Sequence, residues 1–307
     1  CRYPFYTPSG MTAMVVVRAP ATSANLGSGF DVFGVALDRP ADVIRVEQAE
    51  RTTISVSGSG SQFIPEDPTK NTAGIVADAL DAPAHIQIDK GVRPSSGLGS
   101  SAASAAGAAV ALDRLYDRGL TREELVRIAA EGEAAVSGDA HADNVAPAIF
   151  GGFTIVTEDE VAAVEASLPL VACLPDIVVS TREARSVIPQ SVSLETLVET
   201  VGNASTLTVG MFRDDPDLVG RGLHDEVVTP HRTALIDGYD AVKSAAIDAG
   251  ATGVTVSGAG PTVLAVPRFG TSRRVATAMV DAFEGEGIDA QAYQTAIGDG
   301  ATVWPNG

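Results

Sequence analysis

Residues 94–104 read Pro-Ser-Ser-Gly-Leu-Gly-Ser-Ser-Ala-Ala-Ser, and an alanine-rich run follows at once. Small side chains at 95–101 let a backbone pass close to a bulky ligand, and glycine lets it turn sharply and present its N–H groups. The segment behind them has strong helix propensity. A glycine loop that feeds a helix N-terminus makes an anion site from unpaired N–H groups and the helix dipole. Ser100 and Ser101 stand where a helix cap or a Mg²⁺ ligand is expected. The pattern is not the GxxxxGK(S/T) of a Walker-A loop, and no GxGxxG opens a βαβ unit. On these residues alone, a Ser/Gly turn ahead of a core helix is an equal alternative. A membrane segment is excluded, because the run from Ala102 to Leu112 is too short to span a bilayer.

The loop needs elements to hold it. Strand patterns fall at Val15–Ala19, Phe33–Leu37, Val43–Gln48, Thr52–Val56 and His85–Ile88. Thr72–Leu80 reads as a helix, and Ser100 to about Tyr116 as the helix behind the loop, stopped by Gly119. Thr121 and Glu124 form a capping box for a helix reaching Val136. Strands follow at 150–156, 172–174 and 177–180, then helices at 194–211, 214–223 and 231–249. Strands at 252–257 and 262–266, a helix at 271–285 and a strand at 290–296 complete the chain. Without regular βα alternation, the pattern predicts two α+β lobes that part near 155–170.

The chain has 307 residues, enough for one large domain or two ordinary ones. It is 45% hydrophobic and only 5% aromatic, so Ala and Val must fill much of the core. Net charge is −18, and only Lys70, Lys90 and Lys243 are lysines among the 21 basic residues. Such a surface repels nucleic acid and anionic membranes. It fits a halophile's cytoplasmic protein, where salt screens the self-repulsion; an ordinary acidic enzyme is the alternative. An anionic substrate then needs locally placed Arg or N–H groups. Cys1 and Cys173 imply no disulfide framework, and His85, His141, His224 and His231 show no HExxH spacing. A reducing compartment and a cytoplasmic location are expected. No signal peptide or membrane span is visible, and the first ten residues read as an extension outside the fold.

Three ordered strings carry a family likeness. PSSGLGSSAAS resembles the ATP-binding motif of the GHMP kinase superfamily, PATSANLGSGFDVFGVAL (20–37) its first motif, and SGAGPTV (257–263) its third. PATSANLG with GFD, HADNVAPAIFGG (141–152) and STREAR (180–185) resemble the homoserine kinases, in a haloarchaeal version. One departure is Ser28, where that family has Pro; it keeps a small residue and predicts no change of activity. The resemblance implies an α+β, two-lobed GHMP kinase fold. Its N-terminal lobe (11–165) is ribosomal protein S5 domain 2-like, and its C-terminal lobe (166–304) is ferredoxin-like. It also implies Mg²⁺-dependent phosphoryl transfer from ATP to the hydroxyl of L-homoserine, giving O-phospho-L-homoserine in threonine biosynthesis, by a protein that is a homodimer.

The resemblance assigns roles as well. Pro94, Ser95, Ser96, Gly97, Leu98, Gly99, Ser100, Ser101 and Ala102 hold the nucleotide, with Asn71 at adenine and Gly258 and Gly260 beside the loop. Ser101 and Glu133 hold the metal. Homoserine carries an ammonium, a carboxylate and a hydroxyl, so an acid must meet the first and arginines the second. The matched positions are Asn25 and Asp31 for the amino-acid part, Arg185 and Arg232 for the carboxylate, and Thr181 for a hydroxyl contact. Asn144 positions the substrate and, with Arg185, counts among the catalytic residues; Asp143 as a general base is the alternative to direct transfer. His141 reads as structural. Two rivals stand beside these expectations. One is a shikimate- or mevalonate-type kinase. The other is a non-catalytic sensor of the same fold, against which Ser101 and Glu133 both argue.

Overall fold

The structure is a computed structural model that describes residues 14–137, 142–158 and 160–304. Cys1, the N-terminal extension and His141 lie outside the described residues.

The first lobe is built on β1 (Met14–Ala24), β2 (Phe33–Gln48), β3 (Thr53–Gly58), β4 (Ala84–Lys90), β5 (Phe153–Val156) and β6 (Val161–Val164). β1 and β2 form a long antiparallel ribbon with an irregularity between Pro20 and Thr22. Proline cannot donate to a ladder, so a register shift there is expected. β4 pairs antiparallel with β2 and parallel with β3. The parallel pair needs a crossover, and α1 (Thr72–Ala79) provides it.

Over the sheet runs α2 (Ser100–Tyr116), with ten buried residues, seven of them alanine. A helix apolar on every side belongs in the centre of a lobe. Its alanines let the sheet, α1, α3 (Arg122–Ser137) and α4 (Ala142–Phe150) all pack against it. α3 opens on the expected capping box: Thr121 N–H donates to Glu124 at 2.8 Å, and Glu124 N–H donates to Thr121 Oγ1 at 3.2 Å.

The second lobe holds β7 (Pro169–Pro175), β8 (Ala251–Val256), β9 (Val263–Pro267) and β10 (Ala290–Ala296) in the antiparallel order β10-β7-β9-β8. With α5 (Thr181–Ser186), α6 (Leu194–Phe212), α7 (Pro216–Gly222), α8 (Thr229–Thr233) and α9 (Tyr239–Asp248) between β7 and β8, and α10 (Ser272–Gly285) before β10, this is a βαββαβ, ferredoxin-like arrangement. The chain then returns as β11 (Thr302–Val303) to pair with β1.

Four local expectations change. Residues 33–37 and 43–48 belong to one strand, β2. The segment 177–180 is not a strand, because β7 ends at Pro175 and the chain turns there into α5. The single helix over 231–249 is two, α8 and α9, parted where Gly238 sits at φ 79. α4 was not anticipated: Pro147 lies inside it and reads as a breaker.

Candidate active site

A cavity of about 430 Å³ opens between the lobes. Its floor is the glycine loop. Gly97 and Gly99 lie at φ 79 and φ 62, in the left-handed region that favours glycine. Neither position has room for a side chain. A Cβ on Gly97 would fall 2.5 Å from the Ser257 carbonyl, and one on Gly99 would fall 2.9 Å from Asn144 Oδ1 and collide with Thr22 Oγ1. α2 starts from Gly99 with no side-chain cap. Ser100 and Ser101 do not serve as caps, because their hydroxyls donate to Val92 O (2.8 Å) and to Glu133 Oε2 (2.9 Å). Gly99, Ser100 and Ser101 line the cavity, so the N-terminus of a 17-residue helix opens onto it without a side-chain cap, which is the arrangement an anion needs.

The three motifs meet here. Thr22 N–H donates to Leu98 O, Gly258 N–H to Ala24 O, and Thr262 N–H to Ser96 O. The Ser257 hydroxyl contacts both Ser23 Oγ (2.8 Å) and Gly97 O (2.7 Å). Segments more than 150 residues apart thus share one hydrogen-bonded floor.

Lys90, to which the motifs assign no role, lies under the loop. Its ammonium donates to Asp42 Oδ2, to Ser100 O (2.7 Å) and to Ser104 Oγ (2.9 Å). Asp42 Oδ1 accepts from the N–H groups of Gly91 (3.1 Å) and Val92 (3.0 Å). Three donors on a compact head suit this nest, where a planar guanidinium would not fit. Burial lowers the Lys90 pKa and raises that of Asp42, and each charge opposes the other's shift. The sequence holds two signals: lysine is rare in this chain, and Lys90 continues the every-second-residue spacing of Ala84, Ile86 and Ile88, which β4 buries.

Glu133 comes from α3 and is 3% exposed. Burial pushes its carboxyl up to about 7, against the Ser101 hydrogen bond and the Lys90 charge. A buried carboxylate and a hydroxyl beside a phosphate cradle are the hard oxygen donors Mg²⁺ takes when nucleotide phosphates complete its shell. No group of three or more His, Cys, Asp or Glu that could hold a metal by itself occurs among the described residues. Asn71 lines the wall above, where its amide caps α1 through Ala73 N–H (3.0 Å) and donates to Pro65 O (2.8 Å). Phe63, Ile64 and Pro65 supply an apolar wall that sequence reasoning missed.

The other end of the cavity is built from scattered side chains. Asn25 Oδ1 accepts from Asp31 N–H at 2.8 Å, which fixes the tip of the first motif. Asp31 Oδ2 accepts from both Arg185 Nη1 (2.9 Å) and Nη2 (3.0 Å). Arg232 is 5% exposed and donates to Gly258 O (2.6 Å) and Ala184 O (3.5 Å). Burial lowers its pKa, with the Arg185 charge adding to that and nearby acids opposing it. Thr181 and Asn144 line the same space, and Asn144 Oδ1 accepts from Thr22 Oγ1 at 3.0 Å. Around the cavity Lys70, Lys90, Arg185 and Arg232 outnumber Asp31 and Glu133, a local excess of cations in a chain of net charge −18.

Three expected residues stand off the cavity surface. Leu98 and Ala102 are core residues, so only their backbones can serve a nucleotide. Asp143 is buried on α4; burial, with Asp31 nearby, pushes its carboxyl up to about 6. Ser28 donates to His224 O at 2.6 Å, a bond between the lobes that proline in its place would lack.

Comparison with known proteins agrees with this geometry. Residues 69–152 match the GHMP kinases N terminal domain, and residues 207–285 the GHMP kinases C terminal domain. The chain is 69% identical to the homoserine kinase of Haloarcula marismortui over 291 residues, covering 95% of this chain and 100% of that one. It is 71% identical to the homoserine kinase of Halorubrum lacusprofundi, covering 94% and 99%. The crystal structure of homoserine kinase from Cytophaga hutchinsonii superimposes with a TM-score of 0.89 at 34% identity, covering 98% of this chain and all of that one. With three motifs on one cavity floor and full-length relatives at this identity, the chain belongs to the homoserine kinases of the GHMP kinase family.

Proposed function

We propose that the protein transfers the γ-phosphoryl group of ATP to the hydroxyl of L-homoserine, giving O-phospho-L-homoserine, and that it does so in the cytoplasm. What carries this proposal is one cavity with an uncapped helix N-terminus at one end and an Asp–Arg–Arg set at the other. The backbone at 97–101 holds the phosphates, with Gly258 and Gly260 packed beside it and the wall at Phe63–Pro65 and Asn71 receiving the base. Ser101 and Glu133 would hold Mg²⁺, which when bound neutralises phosphate charge. Asp31 takes the substrate ammonium and Arg185 and Arg232 its carboxylate, so the zwitterion replaces the Asp31–Arg185 ion pair with two new ones. Asn25 holds Asp31 in place, Thr181 adds a hydroxyl contact, and Asn144 aims the attacking hydroxyl. The new O–P bond forms as the bond to ADP breaks, and the hydroxyl proton passes late to solvent water, because a loose transition state puts little charge on the nucleophile.

A second version gives Asp143 the proton, since a carboxyl near pKa 6 suits a base working near neutrality. Alignment is preferred because Asp143 does not line the cavity. The deciding assay is a panel of alcohols with labelled ATP. Homoserine should turn over far faster than shikimate or mevalonate, and parity among them would overturn the assignment.

We propose that the lobes divide in the connection from β6 to β7, near residue 165. A homodimer is proposed from α6. None of its residues from Leu194 to Thr206 is buried, yet Leu194, Leu197, Val198 and Val201 are apolar and exposed. An uncharged stripe of this kind is self-complementary about a two-fold axis. Light scattering on Val201→Glu should report a monomer. The described residues include no helix long and apolar enough to cross a membrane.

A further inference from the structure

Phe30 belongs to the first motif and has no part in holding the nucleotide, the metal or the substrate in the function proposed for the site. Its ring lies 5.6 Å from the Arg185 guanidinium carbon and 5.1 Å from that of Arg232. One aromatic ring therefore serves both guanidinium groups. Their situations differ. Arg185 is paired with Asp31, whereas Arg232 is buried and no carboxylate forms an ion pair with it among the described residues. Two backbone carbonyls occupy part of its five-donor fork. Asp31, Asp143 and Asp225 are near enough to act on this buried guanidinium, but none is paired with it among the described residues, and it stands beside the like charge of Arg185.

An acid at position 30 would neutralise Arg232 but would compete with an incoming carboxylate. An aromatic face attracts the cation through its quadrupole, carries no formal charge and leaves the outward donors available. The backbone that carries the ring is also fixed on both sides. Asn25 fixes Asp31 N–H, and a tight turn joins Phe33 N–H to Gly29 O at 2.8 Å. Position 30 is thus set by the backbone of the first motif, while both arginines come from the other lobe.

We propose that Phe30 is a positioning residue that presents Arg185 and Arg232 to the substrate and thereby sets the site's preference for a carboxylate-bearing alcohol. The proposal rests on the assignment of the two arginines to the carboxylate. Phe30→Leu and Phe30→Met keep much of the volume and remove the π face. Each should raise the KM for homoserine by about tenfold to thirtyfold. The KM for ATP and kcat should stay within about threefold of the parent, on the same principle that only the arginines are displaced. Phe30→Tyr should restore the parent KM. With 3-aminopropan-1-ol, which keeps the ammonium and the hydroxyl but lacks the carboxylate, kcat/KM should be low in the parent and unchanged in Phe30→Leu. The substitution then erases discrimination rather than activity.

Calorimetric titration of homoserine without nucleotide gives a readout independent of turnover, and thermal melts report folding. An unchanged homoserine KM in Phe30→Leu would overturn the proposal. So would equal impairment of the Leu, Met and Tyr variants with a lowered melting temperature, which marks plain packing. If Arg232→Lys and Arg185→Lys leave the homoserine KM unchanged, the arginine assignment itself fails, and that outcome is separate from the behaviour of Phe30.

Discussion

The two ends of the cavity solve the same electrostatic problem by different means. At the loop end, the proposed anion site is backbone: a run of nine residues, 94–102, turns into α2, which has no side-chain cap at its N-terminus. At the other end, charge is met by side chains drawn from 25–31, 144, 181–185 and 232, on both lobes. A backbone site is indifferent to most side-chain changes and sensitive to steric ones. A side-chain site is the reverse. In a chain of net charge −18, both ends must create local positive potential against the global field.

Substitutions can break this contrast. The largest effect is expected at Glu133, the proposed metal ligand. Glu133→Ala should lower kcat by about 10²–10³, the cost of losing one electrostatic group aimed at the transferring phosphoryl. Unchanged turnover would remove Glu133 from the site. Next is the side-chain end, where Arg232→Lys should raise the homoserine KM about thirtyfold while the ATP KM moves less than about twofold. Equal changes in both constants would mean the two ends are not separable.

At the loop end, Gly99→Ala should cost about 1–3 kcal/mol through its left-handed φ, on top of the clash with Thr22. Its ATP KM should rise more than its homoserine KM. A melt indistinguishable from the parent would contradict the packed floor.

The smallest effect concerns Asp143. Its folded pKa, about 6, lies above the ordinary value of 3.8, so the native state binds the proton more tightly than the unfolded chain does. Stability therefore falls as pH rises from about 4 to about 6, and the penalty is fully present above that range. Asp143→Asn should stabilise the protein by about 1–2 kcal/mol at pH 8, with the gain vanishing near pH 4. Its kcat should drop less than about tenfold, and a loss beyond about 10² would install Asp143 as the general base.

Legibility followed contiguity. The loop, α2 and the α3 capping box were readable because their determinants are neighbours in the chain: glycine before alanine, Thr121 three residues before Glu124. α4 escaped because Pro147 argues locally against a helix that packing against α2, α3 and β1 sustains. Asp42 and Lys90 escaped because a charge pair 48 residues apart has no local signature beyond a lysine on the buried face of β4. The loop motif, taken alone, stayed level with an ordinary turn. What raised it was order along the chain, three motifs in sequence, which no single window carries.

By itself, the sequence determined the acidic surface, most elements of both lobes, the glycine–alanine signature of an anion site and a family likeness that proposes the substrate residues. These follow from composition, periodicity and spacing, or from matched strings. Only the tertiary structure decided that Ser100 and Ser101 leave α2 uncapped, that Asp31 pairs with Arg185, and that Phe30 lies against two guanidiniums. The physical reason is range. Helix propensity and turn chemistry act over a few residues, whereas ion pairs, cation–π contacts and burial depend on which distant segments the two sheets bring within a few ångströms.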